Sequence, residues 1–269
     1  MTASVAWVRK FDTGQEELVV ASDSRISGGL RFDAAPKVLP FGRGDCVLAF
    51  AGEVEFAYPL MIQLHSVVSA WRPARTRSLD IESLRNHLIR VFSDMLSRSL
   101  HSVADPDMLN PDLSFLFGGY SYVRKRFELF VAVRNAETSA FEWRDAKVID
   151  GRSGYIAFIG DGAGELESRV EDLIGLDTRQ GGDEGPWRWE PLQALRDLCS
   201  NADASATVGG APQVVKVHQH ANTTDVPVFW PPGQRERIAL RGRPLLESER
   251  VDGKALCLET FQLLTVPGG

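Results

Sequence analysis

The chain has 269 residues, 43% of them hydrophobic and 25% charged, the balance of an ordinary globular protein. Lys and Arg number 30 against 36 Asp and Glu, a formal net charge of −6. This argues against nucleic acid or an anionic membrane as the main partner, since both select basic patches. Cys46, Cys199 and Cys257 lie far apart and make no CxxC pair or disulfide framework. No apolar run reaches the ~18 residues of a membrane helix, and the N-terminus lacks the basic-then-apolar pattern of a secretory signal, so a cytoplasmic location is expected.

The first fifty residues read as strands. Val5, Trp7 and Leu18–Ala21 are β-prone, with a turn at Asp12-Thr13-Gly14, and the segments beginning at Lys37 and Cys46 flank Gly42-Arg43-Gly44 as a hairpin. A short Leu30-Arg31-Phe32 follows the turn at Gly28-Gly29. From Gly52 the period changes. Phe56, Leu60, Leu64, Val67 and Val68 sit at helical spacing, predicting a helix over Glu53–Trp71. A polar connection over Arg72–Ser78 leads to Asp80, an expected N-cap for a second helix over Ile81–His101. Strand signals return at Leu113–Tyr120, Arg126–Val133, Ala140–Arg144 and Tyr155–Ile159. Helices are expected over Glu165–Leu176 and Glu190–Cys199, and a strand over Val214–Val217. Beyond His218, Pro227, Pro231, Pro232 and Pro244 break the chain, and only Ile238–Leu240 and Phe261–Val266 look strand-like. The order of elements fits an α+β fold with helices packed on sheets.

Four local features suggest chemistry. With Met1 removed, Thr2 carries a hydroxyl and a free α-amine. An α-amine has a pKa of ~7.7–8.0, so part of it is neutral near pH 7 and can accept the hydroxyl proton. One residue then supplies nucleophile and base. Asp23, within Ala21-Ser-Asp-Ser-Arg25, and Lys37 are more often surface charges, worth little as a pair. Buried beside Thr2, the Lys cation would disfavour protonation of the amine and hydroxyl, and the Asp would hold the Lys in place. Gly52, at the end of Ala49-Phe-Ala-Gly, is either a plain turn glycine or the N–H donor to an oxyanion at a helix start.

These residues resemble the proteasome β-subunit family of N-terminal nucleophile (Ntn) hydrolases. The resemblance continues in order through Phe115-Leu-Phe-Gly-Gly-Tyr, then Tyr155-Ile-Ala-Phe-Ile-Gly-Asp-Gly, then Asp203-Ala-Ser-Ala-Thr-Val-Gly-Gly, and covers roughly residues 2–218. It implies a four-layer α-β-β-α sandwich of two antiparallel sheets, amide hydrolysis by Thr2, and self-association into a ring or ring-like homo-oligomer. Carried over by motif, Asp23 and Lys37 tune Thr2, Gly52 donates to the oxyanion, Asp203 and Ser205 support the nucleophile, and Arg25 is a structural neighbour. No metal or cofactor is implied. The chain has no propeptide ahead of Thr2, which resembles the simpler bacterial members, and Val-Gly-Gly-Ala-Pro-Gln leans towards their ancestral-beta-subunit family. Two departures stand out. Asp161 replaces the family's Ser, where it either holds the amine protonated or orients the amine or a water, and the Asp203–Gly209 segment is two residues longer.

The expected substrates are peptides or unfolded protein. An ATP-dependent unfoldase is a candidate partner, because the chain has no nucleotide motif of its own. An amidase acting on a small molecule and a catalytically silent assembly subunit are the rival readings. Size measurement separates the first, and Thr2, Asp23 and Lys37 argue against the second. His218 and His220 lack supporting metal ligands and read as a solvated strand end. Gly160-Asp-Gly-Ala-Gly lacks Gly-Lys-Ser/Thr and reads as a turn, Trp187 and Trp189 as loop anchors on the core, and Gly268-Gly269 as a frayed terminus. Residues 219–269 are expected to wrap the domain or a neighbouring subunit.

Overall fold

Strands β1 (Ser4–Lys10) and β2 (Glu16–Ser22) pair antiparallel across the Asp12–Gly14 turn, where Gly14 has a φ of +79°. The computed structural model describes residues 2–27, 31–100, 112–135, 138, 140–149, 152–179, 185–201, 206–220, 222–251 and 253–266. After β2 come β3 (Val38–Pro40), β4 (Cys46–Gly52), α1 (Val54–Ala70), α2 (Arg72–Arg75) and α3 (Ile81–Leu100). Next are β5 (Leu113–Ser121), β6 (Arg126–Arg134), β7 (Phe141–Asp145), β8 (Arg152–Ser153), β9 (Ile156–Ile159), α4 (Ala163–Arg179), β10 (Gly185–Pro186), α5 (Glu190–Ser200) and β11 (Gln213–His218). The C-terminal part adds β12 (Asn222–Val226), β13 (Val228–Phe229), β14 (Ile238–Leu240), β15 (Arg243–Pro244), β16 (Lys254–Leu256) and β17 (Leu263–Thr265).

The result is a mixed α+β structure with several antiparallel sheets and, among the described residues, five helices. The first sheet has the order β12-β11-β2-β1-β9 and the second β3-β4-β5-β6-β7. Period-2 alternation explains why their strands are apolar throughout. On β1 and β2, Val5, Trp7, Val19 and Ala21 face a core shared with α4 and α5, while Ala6, Leu18 and Val20 face the opposite way. On β4 and β5, Leu48, Phe50, Phe115 and Phe117 face a core shared with α1 and α3, while Val47, Ala49 and Leu116 join Leu18 and Val20 in a third core. Strands buried on both faces cannot alternate apolar with polar.

Some local expectations are revised. Arg72–Ser78 contains the short α2, with Pro73 in its first turn, where a missing N–H costs nothing. Asp80 spends its carboxylate elsewhere than on a helix cap. It accepts from Ser121 Oγ at 2.9 Å and Tyr122 N at 3.1 Å, tying the start of α3 to the β5–β6 turn. Phe261, expected within a strand, has a φ of +54° and lies outside β17. Leu30 and its preceding turn lie outside the described residues, while Phe32 makes an isolated bridge to Ile26.

The segment after His218 holds more strand than its prolines suggest. β12 pairs with β11, so the first sheet runs on to Val226. The remaining strands form a third sheet, β15-β14-β13-β16-β17, and its Val228, Ala239 and Leu256 are buried in the same core as α4 and α5. Trp187 is buried in that core too, donating to the Gly154 carbonyl at 3.2 Å. No described helix is long and apolar enough to cross a membrane.

Candidate functional site

The strand ends of the first sheet and β3 of the second converge on Thr2. Register brings them together: Ser4 lies opposite Ser22 on β2 and Ile159 on β9, so the residue before β1 meets the exits of both neighbours. Lys37 enters from β3, held by its own carbonyl accepting from Phe50 N at 3.2 Å.

At the centre, Lys37 Nζ donates to Thr2 Oγ1 at 2.9 Å and to Asp23 Oδ1 at 2.8 Å. Thr2, Asp23 and Lys37 are each at most 2% exposed. A buried ion pair persists only if its remaining polar valences are filled, and here they are. Asp23 Oδ1 also accepts from Ala3 N, and Oδ2 from Arg25 N and Gly209 N, all at 3.1 Å. Burial pulls the Lys37 ammonium below its ordinary range, and Asp23 opposes that shift. Because Lys37 donates to Oγ, the hydroxyl proton of Thr2 is left to go elsewhere, which is the arrangement a nucleophile needs.

Gln213, at the start of β11, was not singled out from sequence and proves central. Its Oε1 accepts from Lys37 N at 3.0 Å, and its Nε2 donates to the Asp23 carbonyl at 3.0 Å and the Ala35 carbonyl at 2.7 Å. One fully buried amide thus ties the strands carrying the acid and the lysine. Arg25 is spent on structure. Its guanidinium bonds Asp33 at 2.7 Å and the Ala206 carbonyl at 2.8 Å. Asp203 and Ser205 lie outside the described residues. His218, also set aside as a metal ligand, has its Nδ1 3.7 Å from Glu17 Oε2.

Two glycines make the close approaches possible. Gly160 has a φ of +99°, and a Cβ there would lie 2.0 Å from the Thr2 carbonyl oxygen, which itself accepts from Gly162 N at 3.1 Å. Gly52 has a φ of +112°, and a Cβ would lie 1.8 Å from the Asp112 carbonyl oxygen. Gly52→Ala is therefore expected to destabilise the fold by at least ~1–3 kcal/mol from backbone strain alone, read as a lower urea midpoint at unchanged slope.

Two cavities meet here. One, about 400 Å³, is bordered by Thr2, Ile26, Ser27 and Val54. The other, about 560 Å³, runs along β5, β6 and β9. Gly52, Asp112 and Asp161 border both. Burial pushes the Asp161 carboxyl up, the positive charge of the N-terminus opposes it, the charge and hydrogen bond of Asp112 add to the rise, and Lys37 pulls it down, with a net upward shift. The native state therefore binds more protons than the unfolded chain above pH 3.8, and stability falls as pH rises from there through the raised native value. Asp161→Asn is expected to remove this loss: urea midpoints of wild type and variant should diverge, in the variant's favour, from about pH 4 to pH 7.

No family model matches the chain, and no curated protein is significantly similar to it.

Proposed function

We propose that this chain is a proteasome-like threonine peptidase of the Ntn hydrolase type, active once Met1 is removed. The observation that carries the reading is the buried Thr2–Lys37–Asp23 chain of contacts, with Thr2 Oγ1 2.9 Å from the lysine nitrogen. The three cores also support an α-β-β-α layering: helices on the outer face of each large sheet, and sheet against sheet between.

Thr2 Oγ attacks the amide carbon, its proton passing to the α-amine of the same residue. Lys37, braced by Asp23 and Gln213, stabilises the developing charge on Oγ. The Gly52 N–H is assigned to the oxyanion, beside the start of α1. The amine hands its proton to the leaving nitrogen, the C–N bond breaks, and water then hydrolyses the ester on Thr2. The substrates are peptides or unfolded protein within a ring-like homo-oligomer in the cytoplasm, served by an ATP-dependent unfoldase. Self-association has a candidate surface in the apolar groove of about 540 Å³ beside α1, where Phe32 and Ile62 are exposed.

Intact mass after incubation with a β-lactone is the test. One warhead per chain, mapped to an N-terminal Thr2, is the expected result. Retention of Met1 in protein that cleaves peptides overturns the reading.

A further inference from the structure

One turn of the third sheet reaches the groups that support Thr2. Strands β14 and β15 pair with Ala239 opposite Pro244 and Leu240 opposite Arg243, which leaves Arg241 and Gly242 as a two-residue hairpin loop. Both have positive φ, +51° and +80°, as a tight hairpin loop of this kind requires. Arg241 spends its guanidinium on Asp225 of β12, with two bonds of 2.8 Å. Gly242 is buried, and a Cβ there would overlap Ser24 Cβ and lie 3.2 Å from Gln213 Cγ. The turn is thus fastened to β12 and packed on two residues: the one that follows Asp23, and the glutamine that meets Lys37 N.

We infer that this turn is a clasp in which Gly242 is a positioning residue: anchored by Arg241 and pressed on Gln213 and Ser24, it fixes where Asp23 and Lys37 stand relative to Thr2. Its kinetic consequence rests on the hydrolase reading above. The Gln213 amide meets Lys37 N, the Asp23 carbonyl and the Ala35 carbonyl, and all three bonds depend on where its Cγ sits. Ser24 is tied as closely. Its N donates to the Gly209 carbonyl at 3.0 Å, its Oγ to the Asp33 carbonyl at 3.0 Å, and its own carbonyl accepts from Ala35 N at 2.9 Å. Ser24 Cβ is fixed to the backbone, so a methyl at position 242 moves either that backbone or the turn. Hydrogen bonds weaken steeply as their angles open, and the shift is passed to the 2.9 Å contact between Lys37 Nζ and Thr2 Oγ1. Ser24, Gln213 and Gly242 border neither cavity at Thr2, so the turn acts on the chemical step and not on substrate binding.

The test compares Gly242→Ala with Gly233→Ala. Gly233 lies in the same C-terminal part with a φ of +85°, but a Cβ there meets nothing nearer than Glu259 Oε1 at 3.7 Å. The two substitutions carry similar backbone strain and differ in what the methyl touches. With an internally quenched peptide as substrate and sites counted by β-lactone labelling, Gly242→Ala is expected to lower kcat by about 10-fold or more, with KM within about twofold of wild type. Gly233→Ala is expected to keep the wild-type kcat. Amide hydrogen exchange supplies a readout that needs no activity: the Lys37 N–H, bonded to Gln213 Oε1, should exchange about 10-fold faster in Gly242→Ala and not in Gly233→Ala. If Gly242→Ala does not fold, Arg241→Ala decides. It removes only a partly exposed ion pair and is expected to move kcat and Lys37 exchange in the same directions by about threefold. Equal kcat per labelled site in the two glycine variants, or an unchanged kcat in Arg241→Ala where that variant decides, overturns the clasp and leaves Thr2 as nucleophile. A wild type that neither takes the label nor cleaves overturns the hydrolase reading, and Lys37 exchange alone then decides whether the turn holds Gln213.

Discussion

Thr2→Ala is expected to lower peptide turnover by on the order of 10³-fold or more while leaving the fold intact. The loss follows from removing the only route through a covalent ester, since no other hydroxyl is held by Lys37 in the described contacts. The fold survives because Lys37 keeps its shorter bond to Asp23, and the hydroxyl contributes one hydrogen bond, about 1 kcal/mol net. Thr2→Ser, which keeps a hydroxyl and an α-amine on one residue, should retain measurable turnover. Steady-state kinetics and urea midpoints on the same three proteins separate chemistry from folding. Undiminished turnover in Thr2→Ala would sink the mechanism.

Lys37→Met is expected to have the largest effect on stability. It removes the cation from a carboxylate with no exposed surface, and breaking one half of a buried pair typically costs ~3–5 kcal/mol. The three backbone N–H groups that remain on Asp23, from Ala3, Arg25 and Gly209, place the expected value at the lower end of that range. Adding Asp23→Asn should recover part of the loss, because the uncompensated charge disappears while the amide oxygen still accepts from Arg25 N and Gly209 N, at the cost of the acceptor for Ala3 N. A double-mutant cycle by urea denaturation measures the coupling. Strictly additive single effects would mean the pair is not coupled as its 2.8 Å separation implies.

The catalytic candidates were legible because they sit at the ends of strands whose apolar runs are plain. Leu18–Ser22 and Cys46–Gly52 mark where strands stop, and Asp23 and Gly52 follow or close them. The long helices were equally legible: Leu60, Leu64 and Val68 on α1 and Leu84, Leu88 and Phe92 on α3 are all buried. Gln213 left no trace, because a glutamine opening an apolar strand looks the same whether its amide meets water or three backbone groups. Asp80 misled for a related reason. The same carboxylate chemistry serves a helix cap or a neighbouring turn, and only the fold shows that Ser121 and Tyr122 come within reach. Of the C-terminal strands, β14 and β17 fall within the strand-like stretches of the sequence, whereas β13, β15 and β16 escaped because two or three residues, with Pro244 among them, carry no alternation to detect.

Gln213 and Gly209 have a consequence for biosynthesis. They reach Asp23 and Lys37 across sequence separations of 176 to 190 residues. A nascent chain still short of residue 209 has Thr2 already outside the ribosome, yet lacks the donor that completes Asp23 and the amide that sets Lys37. Contacts this distant in sequence close late. The Thr2–Lys37–Asp23 contacts therefore reach their full set of partners only after residues 209–213 have been made, so the cluster is completed late in synthesis although Thr2 is made first.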